Sequence, residues 1–236
     1  MAAVAFGSSG SVDACSLASW EKPIKCGTMT VIRTVEIEQF PSLLKILQLW
    51  KNFYEDIPKD VCEGCRIISL FEHKDGSFLG GGRVLVIEDS RGVAQAFARV
   101  TDWFKGLCVE ELAVAPWNNT PCIKHTKSLD WILQHRFIKE LTYLYREDPR
   151  RLVKYTPYTG TLMMYGVLEY AKFQEKENVH LFSLTSSQDF YATLGMKKER
   201  EKYIWNLADG LPEGLFTRMR AKFPEELASR VHPLKG

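Results

Sequence analysis

Cys108-Val109-Glu110-Glu111-Leu112-Ala113-Val114-Ala115-Pro116 is the stretch on which the reading of this chain turns. Its apolar and β-favouring residues predict a strand over 108–115. Pro116 ends it, because proline has no amide to give to a neighbouring strand. With side chains alternating across the pleat, Glu110 shares a face with Cys108, Leu112 and Val114, and Glu111 points to the other. Downstream, residues 160–173 (GTLMMYGVLEYAKF) are apolar nearly all round, which predicts a buried helix. VHLFSL (179–184) reads as a buried strand, and residues 188–194 as a short helix closed by Gly195.

Upstream, TVIRTVE (30–36) alternates as a strand does. FPSLLKILQLWKNFYED (40–56) repeats Leu43, Ile46, Leu47, Trp50, Phe53 and Tyr54 at helical spacing, with Pro41 suited to a first turn. RIISLF (66–71), a His73-Lys74-Asp75-Gly76 turn and residues 78–88 read as a hairpin interrupted by Gly80-Gly81-Gly82. No phosphate-loop frame surrounds those glycines. Residues 91–106 fit either a helix or an irregular crossing. SLDWILQHRFIKELTYLYR (128–146) predicts one helix capped by Ser128, its stripe formed by Leu129, Ile132, Leu133, Phe137, Leu141 and Leu144. Residues 202–206 read as a last strand, with one or two short helices beyond. Strands that alternate with helices but begin as a hairpin imply a mixed α/β (α+β) sheet, mostly antiparallel, rather than a doubly wound parallel one.

Composition narrows the function. The 236 residues carry 31 Lys+Arg against 29 Asp+Glu, a net charge of +2, which is not the footprint of a nucleic-acid binder. No apolar run is long enough to span a membrane. The opening MAAVAFGSSGSVDACS lacks the basic and apolar regions of a secretion signal, so a reducing cytoplasm is expected for the cysteines at 15, 26, 62, 65, 108 and 122. Cys62-Glu63-Gly64-Cys65 has CxxC spacing but no second ligand pair, and is expected to be a pair of structural thiols. His73, His125, His135, His180 and His232 form no HxxxH or HExxH frame, so no metal is expected.

Three segments together resemble the GNAT superfamily of acyl-CoA-dependent N-acyltransferases. Leu112-Ala113-Val114-Ala115-Pro116 is similar to the fourth strand of that family, written LxVxP. Residues 160–171 are similar to the helix that follows its phosphate loop. Phe190-Tyr191-Ala192-Thr193-Leu194-Gly195-Met196 resembles the FYxxxGF signature after its fifth strand. Where the family has a compact [RQ]xxGx[GA] loop, this chain has Tyr155-Thr156-Pro157-Tyr158-Thr159-Gly160, sharing only the last glycine, and residues 117–154 are inserted before it. The small, polar composition of residues 1–28, rich in Ser, Gly and Ala, leads to the expectation of a flexible tail, and the resemblance implies one GNAT-like domain over 29–207 with the helical insertion 117–154, followed by a helical extension over 208–236 packed on that domain.

It also implies acetyl-CoA, or another acyl-CoA, as co-substrate, and a small-molecule or peptide amine as acceptor, with no nucleic acid or membrane partner. The chemistry assigns places to residues. Unpaired amides at a helix start favour a pyrophosphate, and the candidates are Tyr158, Thr159, Gly160, Thr161 and Leu162, with Lys154 adding charge and the Thr159 and Thr161 hydroxyls adding donors. In the family a backbone amide of the Leu112-Ala113-Val114 strand polarises the thioester carbonyl. Glu110 is the candidate base, acting directly or through a water. Tyr191, a phenol with an ordinary pKa near 10, occupies the general-acid position. A Cys108 acyl-enzyme lacks a histidine at a readable spacing. Two other readings stay open: a GNAT fold that binds without catalysing, and a relative using a different acyl donor.

Overall fold

The computed structural model describes residues 21–26, 29–36, 41–57, 83–119, 123–124, 129–183 and 187–222. Among the described residues, eight strands make one sheet. In chain order they are β1 (Glu21–Cys26), β2 (Met29–Glu36), β3 (Arg83–Asp89), β4 (Ala94–Trp103), β5 (Gly106–Val114), β6 (Asn178–Phe182), β7 (Lys197–Glu199) and β8 (Lys202–Asn206), and they lie side by side as β1-β2-β3-β4-β5-β6-β8-β7. Every neighbouring pair is antiparallel except β5 with β6. The mixed, mostly antiparallel sheet expected from the sequence is therefore present. The helices are α1 (Pro41–Glu55), α2 (Leu129–Gln134), α3 (Arg136–Tyr145), α4 (Pro149–Leu152), α5 (Thr159–Phe173), α6 (Gln188–Thr193) and α7 (Glu213–Lys222).

Two apolar clusters sit on opposite faces of the sheet. On one, Leu85, Ala98, Val109 and Leu181 meet α5 (Leu162, Met163, Tyr165, Val167), Tyr191 of α6, and Leu215 and Met219 of α7. On the other, Val84, Val86, Phe97 and Ala113 meet α1 (Leu47, Trp50, Phe53) and the insertion (Ile132, Phe137, Leu141, Leu152). The all-round apolar pattern of 160–173 thus has its cause: α5 is held between sheet and α7, and eleven of its residues are buried.

Several expectations are corrected. Glu21–Cys26 is strand, not tail: it pairs antiparallel with β2 at the sheet edge, the position where Pro23 can stand in a ladder. Residues 94–103 are a strand buried along most of its length, which an Ala-rich, weakly alternating sequence does not announce. β3 and β4 form a hairpin closed at Gly92 with φ +76°, which the sequence reading did not include. The single helix over 128–146 is two. His135 leaves helical geometry (φ −66°, ψ 140°), and its imidazole accepts the amide of Phe137 to cap α3. β7 was not expected. Residues 66–71, the 73–76 turn, Gly80-Gly81-Gly82, Ser128 and the CxxC at 62–65 lie outside the described residues.

Candidate active site

The parallel pair β5–β6 runs in register from Gly106↔Asn178 to Val109↔Leu181 and then stops. Beyond that point β5 continues to Val114 beside β4 alone. The strands therefore part, and the residues Glu110 to Val114 border the opening.

Glu110 sits at a β-bulge. Val109 pairs with Val100 and Glu111 with Arg99, so β5 spends two residues where β4 spends one. The insertion of Glu110 reverses the parity of the strand. Leu107 and Val109 pack toward α5 before it; Leu112 and Val114 do so after it. Glu110 itself accepts the Thr101 hydroxyl at 2.7 Å and the Cys108 thiol, both on the α1 side. The strict alternation expected from the sequence is thus corrected: Glu110 and Cys108 share a face, but Leu112 and Val114 are on the opposite one. Glu111 shares the α1 side, where it is buried and clasped by Arg99 through Nε to Oε2 and Nη2 to Oε1, the latter 2.9 Å. Burial raises the Glu111 carboxyl and the Arg99 contact opposes that.

Backbone direction follows from one bond. Ala115 N–H donates to the Gln95 carbonyl at 2.9 Å. Polar groups alternate sides along a strand, so those of Ala113 also turn to β4, whereas those of Leu112 and Val114 turn to the open edge. The Val114 carbonyl there accepts the Tyr54 hydroxyl at 2.9 Å. Ala113 is therefore withdrawn as a candidate amide; Leu112 and Val114 keep that place.

The start of α5 closes the opening on its other side. Tyr158 adopts a left-handed conformation (φ 67°) and gives no side-chain cap. Leu162 N–H bonds the Tyr158 carbonyl at 2.9 Å, which removes Leu162 from the candidate donors and leaves Thr159, Gly160 and Thr161 with the amides that an α-helix does not use internally. The Thr159 hydroxyl is committed to the Thr156 carbonyl at 2.7 Å, and Thr159 and Thr161 are buried, so both are backbone donors at most. A Cβ at Gly160 would stand 3.4 Å from the Phe190 ring and 3.8 Å from Val114. The three segments that carry the sequence resemblance therefore converge at Gly160. Tyr158, which precedes the helix, and Lys154, four residues earlier, are exposed.

Tyr191 lies in the apolar cluster, its ring 5.0 Å from Phe190 and 5.7 Å from Tyr203. Burial drives its phenol well above the ordinary value expected from the sequence. Burial, then Glu110, pushes the Cys108 thiol up to about 12, so it is protonated at neutral pH and ill-suited to nucleophilic attack. His180, which is opposite Cys108 in the parallel pair, was missed because the two are 72 positions apart in sequence and meet only through register. Its pKa is lowered, chiefly by burial.

The insertion packs on the α1 side, and it steadies the loop before α5. Asn118 accepts the Thr156 amide at 2.8 Å and donates to Gln95 at 2.8 Å, which also accepts the Trp117 indole at 3.1 Å.

No protein-family profile matches the sequence, and no curated protein matches it. Solved structures do. A GNAT-family acetyltransferase from Staphylococcus aureus aligns over 75% of this chain and 99% of its own, at 14% identity and a TM-score of 0.36. A GNAT-family acetyltransferase from Listeria monocytogenes aligns over 78% and 97%, at 11% and 0.38. The PaiA N-acetyltransferase of Thermoplasma acidophilum, solved with coenzyme A, aligns over 73% and 96%, at 10% and 0.36. Among the described residues no group of three or more His, Cys, Asp and Glu is placed to hold a metal ion, and no helix is long and apolar enough to cross a membrane.

Proposed function

We propose that this protein transfers an acyl group, acetyl in the first instance, from coenzyme A to a primary amine by direct attack in a ternary complex. The observation that carries the reading is the opening at the bulge. It puts two edge amides, Leu112 and Val114, and an uncapped helix start at Gly160 around one gap, with a carboxylate at Glu110 on the far side of the sheet.

The donor fits the α5 side. Its pyrophosphate takes the amides of Tyr158, Thr159, Gly160 and Thr161 and the charge of Lys154. Its thioester carbonyl takes an N–H of the strand edge, an interaction worth roughly 3–4 kcal/mol to a transition state. The amine arrives from the α1 side. Its nitrogen bonds to the carbonyl carbon, the C–S bond breaks, Glu110 receives the amine proton directly or through water, and Tyr191 returns a proton to the departing sulfur. Burial keeps the phenol protonated at neutral pH and makes it a weaker acid than a free tyrosine, so the donation depends on the thiolate and the phenol meeting within this apolar pocket.

Calorimetric titration with acetyl-CoA, followed by intact-mass analysis of amine mixtures, tests the proposal. Saturable binding with a 42 Da gain on an amine is expected from simple acetyl chemistry (about 42 Da). Absence of binding at millimolar acetyl-CoA overturns it in favour of a non-catalytic module, and binding with transfer only from other thioesters replaces the donor.

A further inference from the structure

On the α1 side of the sheet, beside Glu110, lies a group of side chains that donor binding does not use. Thr101 and Trp103 of β4, Cys108 of β5, His180 and Phe182 of β6 and Lys202 of β8 occupy adjoining strands, and their neighbours Val100, Val109, Val179, Leu181 and Tyr203 face α5. Trp103 and Phe182 are half-exposed. The Lys202 ammonium stands over both rings, 5.0 and 5.2 Å from their centres. Among the described residues it makes no ion pair, so its charge is met by ring faces alone. Beneath Trp103, at 5.3 Å between rings, His180 is buried and its Nε2 has no hydrogen-bond partner among the described residues. Residue 106 is glycine, and a Cβ there would stand 2.5 Å from Asn178 Oδ1 and 3.3 Å from the ring's Nδ1.

Resting on the proposed transfer, we infer that this face is the acceptor subsite and that it selects a free amino acid with an aromatic side chain. The charges decide the class. A zwitterion offers an ammonium to Glu110 and a carboxylate to Lys202, which stand on β5 and β8 with β6 alone between those strands. Trp103 and Phe182 supply the flanking walls that an aromatic side chain stacks on, and the orphaned His180 nitrogen gains a polar partner. A peptide N-terminus has no carboxylate near its amine, and a simple aromatic amine has none at all.

The test uses the full chain with acetyl-CoA and three acceptors: L-phenylalanine, phenethylamine (ring without carboxylate) and L-alanine (carboxylate without ring). The expected kcat/KM for L-phenylalanine exceeds each of the others by about tenfold or more. Lys202→Met shrinks the L-phenylalanine to phenethylamine ratio about tenfold, mainly through KM. Trp103→Ala shrinks the L-phenylalanine to L-alanine ratio, and thermal melting establishes that both variants fold. Equal rates for L-phenylalanine and phenethylamine, or a ratio unmoved by Lys202→Met, overturn the assignment. Binding of L-phenylalanine without cofactor, read from tryptophan fluorescence, separates the two claims. Saturable, Lys202-dependent binding supports the subsite even where acetyl-CoA fails to bind, and acetyl-CoA binding without any L-phenylalanine binding overturns the subsite alone.

Discussion

Glu110 owes its place to being one residue too many. Without the bulge it would alternate with Leu112 and face α5; with it, the carboxylate reaches Thr101 and Cys108 on the other side. Tyr191 is the acid in the proposed transfer. Tyr191→Phe is expected to cut turnover by about 100-fold or more and leave acetyl-CoA affinity within a factor of two, because a general acid acts in the transition state rather than in binding. Stopped-assay kcat beside calorimetric Kd checks this, and unchanged kcat removes Tyr191 from the mechanism. Cys108 makes a prediction of opposite kind. Its thiol ionises only near pH 12 in the folded chain, so iodoacetamide at pH 8 should leave the peptide containing Cys108 unmodified in mass maps of native protein and label it after denaturation. The same shift has a sign for stability. The folded state holds this proton more tightly than the unfolded one, so the contribution is complete below about pH 8.5 and is lost between there and about 12. The identities of Gly160, Phe190 and Tyr191 were legible because each belongs to a local motif. His180 and Lys202 were not, because they reach the site only through strand register.

At the scale of elements, β4 and β5 carry the site between them. The Arg99–Glu111 pair crosses that ladder and is nearly sealed from water. Glu111→Ala should cost about 3–5 kcal/mol in denaturant unfolding, since it strands a buried guanidinium. Arg99→Met with Glu111→Leu should recover most of that loss; equal loss in single and double variants would show that shape, not charge, matters there. The sequence announced α5 and the β5 segment through apolar runs bounded by Pro116 and Gly160. It was silent on the bulge, because an extra residue in one strand is defined only against its partner. It also hid the break at His135: the apolar stripe continues through the capped junction, so periodicity alone joins α2 to α3.

Across the whole molecule, the C-terminal helix supports the end of α6. A Cβ at Gly214 would stand 2.1 Å from the Thr193 carbonyl, and Leu215 N–H bonds the Leu194 carbonyl at 3.1 Å, so α7 lies directly on the end of the helix that carries Tyr191. Gly214→Ala should lower stability by about 1–3 kcal/mol and depress kcat along with it, as measured by thermal melting and steady-state rates; a variant with full stability and activity would mean the helix is not docked. Parts of all three additions to the core are structural: residues 21–26 extend the sheet, the 117–154 insertion fills the apolar cluster on the α1 side and 213–222 close the α5 layer.

The parallel pairing of β5 with β6 carries a further consequence for how the chain reaches this state. Residues 115–177 must be looped back before the two strands can meet. Residues 117–154 more than double that loop, yet closure entropy grows only with the logarithm of length, about 0.6 kcal/mol per doubling. The insertion is therefore nearly free at equilibrium. Its burden falls on the search: contacts so distant in sequence form late, and the gap where β5 and β6 part is among the last features of the fold to exist.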